Sequence, residues 1–287
     1  AYGRPVLGTA KSIAAIERDE VVAYHRAHYR PDVAQLTIGG DLGPADAFAL
    51  AQSAFGTWSA SGPPPAPVPT AAPAAPRVIV VDQPSAGRTA IAVGRPGPLR
   101  SAPDWAVATV ANAVLSGYSG RLNEEVRVKR GLSYGAGSSY QSARYAGSIV
   151  ATTLVEHAKA ADALDVVLGT LASLRSAPPA ADEIGTRRTS LLGGIASSLE
   201  TTSGLVRAVA TNAFNGLPLD ALTASTAALN AIDAPALTRF AGTLSAPPTI
   251  VLVGDSSKFI DAVRKAHPNV QVVKATDLDL TSPALTP

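Results

Sequence analysis

The run SASGPPPAPVPTAAPAAP from Ser59 to Pro76 divides the chain into two unequal parts. Proline fixes φ and lacks an amide hydrogen, and Ala, Ser and Gly bring little surface to pack, so this run can neither continue a helix nor enter a core. It is expected to lie extended, as a linker between residues 1–58 and 77–287. Of the 287 residues 46% are hydrophobic and 16% charged, against roughly 25% charged in ordinary globular chains, which excludes a disordered tail. The 24 Lys and Arg are nearly matched by 22 Asp and Glu and form no basic block, so no nucleic-acid surface is expected. No apolar run reaches the roughly 18 residues of a membrane span. Cysteine is absent, which removes disulfides, thiolate metal sites and cysteine nucleophiles from consideration.

Periodicity predicts helices over Arg18–Tyr29 and Pro44–Phe55, with the apolar run Val33–Ile38 between them. Beyond the linker, Arg77–Val81 and Thr89–Val93 read as strands, Pro103–Leu115 and Gly120–Lys129 as helices, and Tyr134–Gln141 with Tyr145–Thr153 as a strand pair. Residues 156–240 are helical in pattern, broken at Pro178-Pro179, Gly216-Leu217-Pro218 and Asp233-Ala234-Pro235. Thr249–Val253 is a last apolar strand, followed by a helix to about Ala266. Helices packed on one face of a sheet make an α+β fold.

Gln35–Asp41, QLTIGGD, resembles Thr249–Asp255, TIVLVGD, and each precedes a helix. If these are corresponding strands of a repeat, Gly254 lies 177 positions after Arg77 while only 39 residues precede Gly40. A complete first copy then needs roughly 140 residues more. The chain is expected to hold one repeat and a fraction, the C-terminal portion of something longer, in keeping with its lack of an initiator Met.

The segment Ser116–Tyr140, SGYSGRLNEEVRVKRGLSYGAGSSY, concentrates the chemistry. A Gly-rich turn leads into a charged helix, Gly131 stands where a left-handed cap is favoured, and a strand follows. The reversal at Gly131 would bring Tyr134 back beside Arg127, so that both could donate to a developing oxyanion or a peptide carbonyl. The same residues also fit a solvated helix arginine and a half-buried strand tyrosine. Glu125 with Lys129, and Arg121 with Glu125, are expected to form surface pairs one helical turn apart.

RLNEEVRVKRGLSY resembles the C-terminal-half signature of the M16 zinc peptidases, the pitrilysin, insulinase and mitochondrial processing peptidase group, in which an Arg and a Tyr stand seven positions apart. AYGRPVLGT and the later YHRAHYRPDVAQLTIGGDL resemble the end of that family's first, zinc-bearing half. The resemblance covers nearly the whole chain and points to a compact bacterial member. It implies a clamshell of two homologous α+β halves, each a mixed sheet with helices on one face. Residues 1–58 would then end the first half, and 77–287 would form the second, non-zinc half. It also implies that Arg127 and Tyr134 bind the substrate carbonyl, as catalytic and substrate-binding residues, opposite a zinc held by the other half.

The family's His-x-x-Glu-His motif is missing from this chain. His25 and His28 are three apart with no Glu between them, so neither is expected to bind metal. Solvated or capping roles are expected for His157 and His267. Zinc would belong to a missing first half or to a partner subunit in a homo- or heterodimer, and the chain alone should not cleave peptides. The substrate would be an extended peptide paired with a sheet edge. The alternatives are a non-catalytic scaffold domain of the same family and an unrelated α+β binding protein. Periplasmic residence is expected from the habit of compact bacterial members, with the cytoplasm as the alternative.

Overall fold

The computed structural model describes residues 6–64, 66, 75–244 and 246–286. Before the Pro/Ala run lie α1 (Ala10–Ala14), α2 (Arg18–His28) and α3 (Pro44–Phe55). After it come β1 (Val78–Asp82), β2 (Thr89–Pro96), α4 (Trp105–Leu115) and α5 (Arg121–Asn123). A π turn at Glu124–Val128 continues α5, and the strand pair β3 (Ser133–Ser142) and β4 (Gly147–Val155) follows. Five helices come next: α6 (Ala160–Ser176), α7 (Ala181–Leu199), α8 (Thr202–Phe214), α9 (Ala221–Asn230) and α10 (Ala234–Thr243). The chain closes with β5 (Thr249–Gly254), α11 (Ile260–Ala266) and β6 (Gln271–Lys274). Pro178-Pro179 separates α6 from α7, and Asp233 caps α10 by accepting from the Ala236 amide at 2.8 Å, the usual service of an Asp at that position.

Two compact units result, Ala1–Thr70 with Gly194–Leu222 and Ala71–Gly193 with Thr223–Pro287. In the first unit, α1, α2 and α3 have no buried residue. Tyr24, Leu36, Phe48 and Phe55 are each more than half exposed. A buried residue before the Pro/Ala run is a cation, Arg30, 5% exposed. Its guanidinium forms a fork with Asp32 at 2.9 and 2.7 Å and donates to the carbonyls of Ser61, Gly62 and Pro63. The start of the Pro/Ala run is thereby held. Positions 65 and 67–74 of that run lie outside the described residues. Gln35–Asp41, read as a strand of the repeat, departs from that reading: a 3₁₀ turn covers Pro31–Val33, and no strand follows it before α3. Apolar alternation specifies a strand only where a neighbouring strand accepts its amides.

The second unit is built on a six-stranded mixed sheet in the order β3-β4-β2-β5-β1-β6. β1 runs parallel to β5 and β6, and β2 runs antiparallel to β4 and β5. Strand alternation puts Ile91, Val93, Ile149, Ala151, Ile250 and Leu252 on one face, all buried. Against that core stand Val110 and Val114 of α4, Leu164, Val167 and Leu174 of α6, and Leu237 and Phe240 of α10, also buried. Each fully buried aliphatic or aromatic side chain contributes about 1.5–3 kcal/mol. On the opposite face of the central strands, Ala90, Thr152 and Leu154 are exposed.

His157 is neither solvated nor a simple cap. Its Nδ1 lies 2.7 Å from Thr89 Oγ1 and its Nε2 2.9 Å from the Ala86 carbonyl. The 3₁₀ turn before α6 brings the ring against the first residue of β2, where Thr89 is fully buried and needs a partner. His267 caps the end of α11 as expected.

Candidate functional site

The site grows out of the turn after α4. Gly117, with φ 90°, reverses the chain where an L side chain would be strained. Asn123, 4% exposed, donates from Nδ2 to the Tyr118 carbonyl at 2.6 Å, which fixes the turn from inside. Tyr118 is left 82% exposed. Leu122 and Val126, fully buried, seat α5 and its π turn on the core. The turn carries the π signature in the bond from the Lys129 amide to the Glu124 carbonyl, 2.9 Å. Gly131 then takes φ 59° as the left-handed cap expected from sequence. Its amide bonds the Arg127 carbonyl, and the Leu132 amide bonds the Val126 carbonyl.

β3 begins with an irregularity. Ser133 pairs with Val155 and Ala136 with Thr153, so three steps on β3 match two on β4. The extra residue makes a β-bulge at Tyr134-Gly135, a device that re-aims a side chain. Thr153 Oγ1 secures it by donating to the Gly135 carbonyl at 3.0 Å, and Ser133 Oγ receives the Gly135 amide at 2.9 Å. Tyr134 is 84% exposed.

Arg127 and Tyr134 are brought together by this architecture. The Arg127 guanidinium carbon lies 5.1 Å from the Tyr134 ring centre and 5.3 Å from that of Tyr118, a cation flanked by two aromatic rings. Among the described residues, neither the guanidinium nor the Tyr134 hydroxyl has a hydrogen-bond or ion-pair partner. Their donors are available to a ligand. Tyr118 escaped the sequence reading, because its contact with Arg127 depends on the Gly117 turn rather than on helical spacing.

The surrounding charges are committed elsewhere. Glu125 takes Lys129 at 2.6 Å, as expected, and also Arg130. Arg121 does not join Glu125. It reaches Glu183 at the start of α7 through two bonds of 2.9 and 2.8 Å, and donates to Ser173 and the Ala177 carbonyl. A two-pronged fork on a carboxylate in the first turn of a helix is better than a single exposed pair one turn away.

The hydrogen bonds from Lys129 and then Arg130 hold the Glu125 carboxyl below the usual carboxylate range. A carboxyl with a depressed folded pKa contributes stability above its unfolded value, about 4.3, and loses it as pH falls through the folded value. Glu125→Gln is therefore expected to cost on the order of 0.5 kcal/mol at neutral pH. The difference should close at a pH acid enough to protonate the folded carboxyl. Urea unfolding of both proteins at the two pH values measures it, and equal stabilities at neutral pH would contradict the assignment.

Residues 15–191 match the peptidase M16 inactive domain. The chain belongs to the M16 inactive-domain family. Among its M16 relatives is an uncharacterized zinc protease of Mycobacterium leprae, 27% identical over 212 residues, covering 70% of this chain and 46% of the relative. The chain spans a little under half the length of the curated relatives it matches. Its fold is that of the peptidase M16 inactive domain from Pseudomonas fluorescens, with TM-score 0.75 and 24% identity over 86% of this chain and 59% of that one. A protease from Helicobacter pylori superposes with TM-score 0.77 at 20% identity, over 86% of this chain and 61% of that one.

Among the described residues, no group of three His, Asp or Glu side chains is placed to hold a metal ion. The rings of His25 and His28 are stacked on Tyr29 and Tyr24 at 4.8 and 4.1 Å. His28 Nδ1 also lies 3.1 Å from the Tyr24 carbonyl. Among these residues, none of the helices is long and apolar enough to cross a membrane.

Proposed function

We propose that this chain supplies the non-zinc half of an M16 peptidase, with Arg127 and Tyr134 binding the carbonyl of the peptide bond to be cut. The observation that carries this reading is the pairing of half-buried Arg127 with exposed Tyr134, 5.1 Å from guanidinium carbon to ring centre with its donors uncommitted. Attack on an amide puts negative charge on the carbonyl oxygen, and donors already aimed at that position stabilise it without reorganising. A guanidinium offers five N–H groups in a rigid plane and a phenol one O–H. The two flanking rings limit how far that plane can swing. The described residues do not fit zinc, so the metal of an active enzyme would be held by protein outside them, in a first half or a partner subunit.

An extended peptide would lie along the β3 end of the sheet, where Tyr134 stands at the edge strand beside Gly135 and Gly137. Backbone pairing with an edge strand binds a peptide without reading much of its sequence. The test is to prepare the chain alone and in assembly with a zinc-bearing M16 half, and to measure zinc content and cleavage of a quenched peptide. Cleavage only by the assembly, with zinc outside this chain, is expected. A zinc-free assembly with no cleavage would make the domain a scaffold, and cleavage by the chain alone would place the chemistry elsewhere within it.

A further inference from the structure

On the helix side of the second unit's sheet, β2, β4, α4, α6 and α10 enclose a cavity of about 260 Å³. None of its lining residues belongs to the 116–134 segment. Its floor is apolar and buried: Val93, Leu115, Ile149 and Phe240. Two arginines also line it, Arg95 on β2 and Arg175 at the last turn of α6. Thr89, Ile91 and Val93 are the buried positions of β2, and strand alternation assigns the next core-facing position to Arg95. A charge at such a place is retained only where something repays its lost hydration.

Within the chain, little does. Arg95 donates one bond, from Nη1 to the Ala246 carbonyl at 3.1 Å. Among the described residues no Asp or Glu pairs with Arg95 or Arg175. Burial pushes the Arg95 pKa down from the usual guanidinium value, as expected of a cation short of water and without a carboxylate. A largely apolar chamber lined by two cations lacking an acidic partner suits a molecule of complementary make-up, an apolar body ending in an anion.

We propose that this cavity binds a small fatty acid, its chain against Phe240 and Leu115 and its carboxylate on Arg95 and Arg175. A cavity of about 150 Å³ holds one benzene ring, so this one suits a chain of about eight carbons. Guanidinium and carboxylate match in a planar two-bond fork, which an alcohol cannot form.

Calorimetric titration of the full chain with octanoate, below its micellar range, tests the site. Saturable binding to one site is expected, with Kd between about 10 µM and 1 mM for a ligand of this size. Octylamine should not bind. Arg175 is exposed, so Arg175→Ala leaves the fold intact and should weaken octanoate about tenfold, with Arg95→Ala weakening it at least as much. Ala172→Phe, at an exposed point of the lining, should plug the entrance and abolish binding. The proposal fails if octanoate shows no saturation, if octylamine binds as well, or if binding is unchanged in both Arg175→Ala and Ala172→Phe.

Discussion

Arg127→Ala, introduced into the assembled peptidase, is expected to lower kcat about 100- to 1000-fold while leaving zinc content and fold unchanged. The side chain contributes little to the core that Leu122 and Val126 fill, and its guanidinium holds no other residue in place. Its loss should therefore be felt when charge develops on the substrate, not when the protein folds. Tyr134→Phe should cost a comparable factor by removing the phenolic donor while keeping the ring beside Arg127. The double variant should fall well short of the product of the two effects, because groups that act on one oxygen are not additive.

Tyr118 separates positioning from donation. If its ring only steadies the guanidinium, Tyr118→Phe should retain wild-type turnover, and Tyr118→Ala should lose about 2- to 5-fold, the worth of an exposed cation–π contact. Steady-state cleavage of a quenched peptide, resolved into kcat and KM, measures all five variants. Wild-type turnover in both Arg127→Ala and Tyr134→Phe would remove the pair from the chemistry.

Leu122→Ala is expected to be the most damaging single change near the site, lowering stability by about 3–4 kcal/mol. Leu122 is fully buried and lies at the middle of the short α5 that leads into the π turn. Truncation leaves a hole under a segment of only eight residues, Arg121 to Val128, with few other anchors. For a unit of this size the loss should lower Tm by roughly 10 °C. Circular dichroism melts of the two proteins would show it. A shift of less than about 2 °C would mean that the Arg121 fork to Glu183, rather than core packing, holds the segment.

The reach of the sequence differs from element to element. Gly131 and the seven-residue interval from Arg127 to Tyr134 were readable because a left-handed cap is a local event that one residue type performs far better than others. Strands β1, β2, β4 and β5 were readable because apolar runs bounded by turns have few other uses, and β3 was readable from the Gly-rich turns that bound it. β6 escaped because four residues with a single buried side chain carry too little pattern. The bulge at Tyr134-Gly135 escaped because it is defined by the count of residues on the partner strand, which SYGAGSSY does not contain. The fork from Arg121 to Glu183 escaped for a similar reason: helical spacing proposes a neighbour four residues away, and the fold supplies a better one 62 residues away. Gln35–Asp41 erred in the other direction, since its likeness to Thr249–Asp255 describes a strand and the described chain gives it no neighbour.

The uncovered apolar side chains of α1 to α3 bear on how such a protein can be handled. Tyr24, Phe48 and Phe55 stand in water on helices that seal nothing beneath them, and surfaces of that kind self-associate or recruit chaperones rather than remain dispersed. Solubility would then depend on what covers these helices. A precipitating preparation of residues 1–287 would say little about the integrity of the sheet that carries Tyr134.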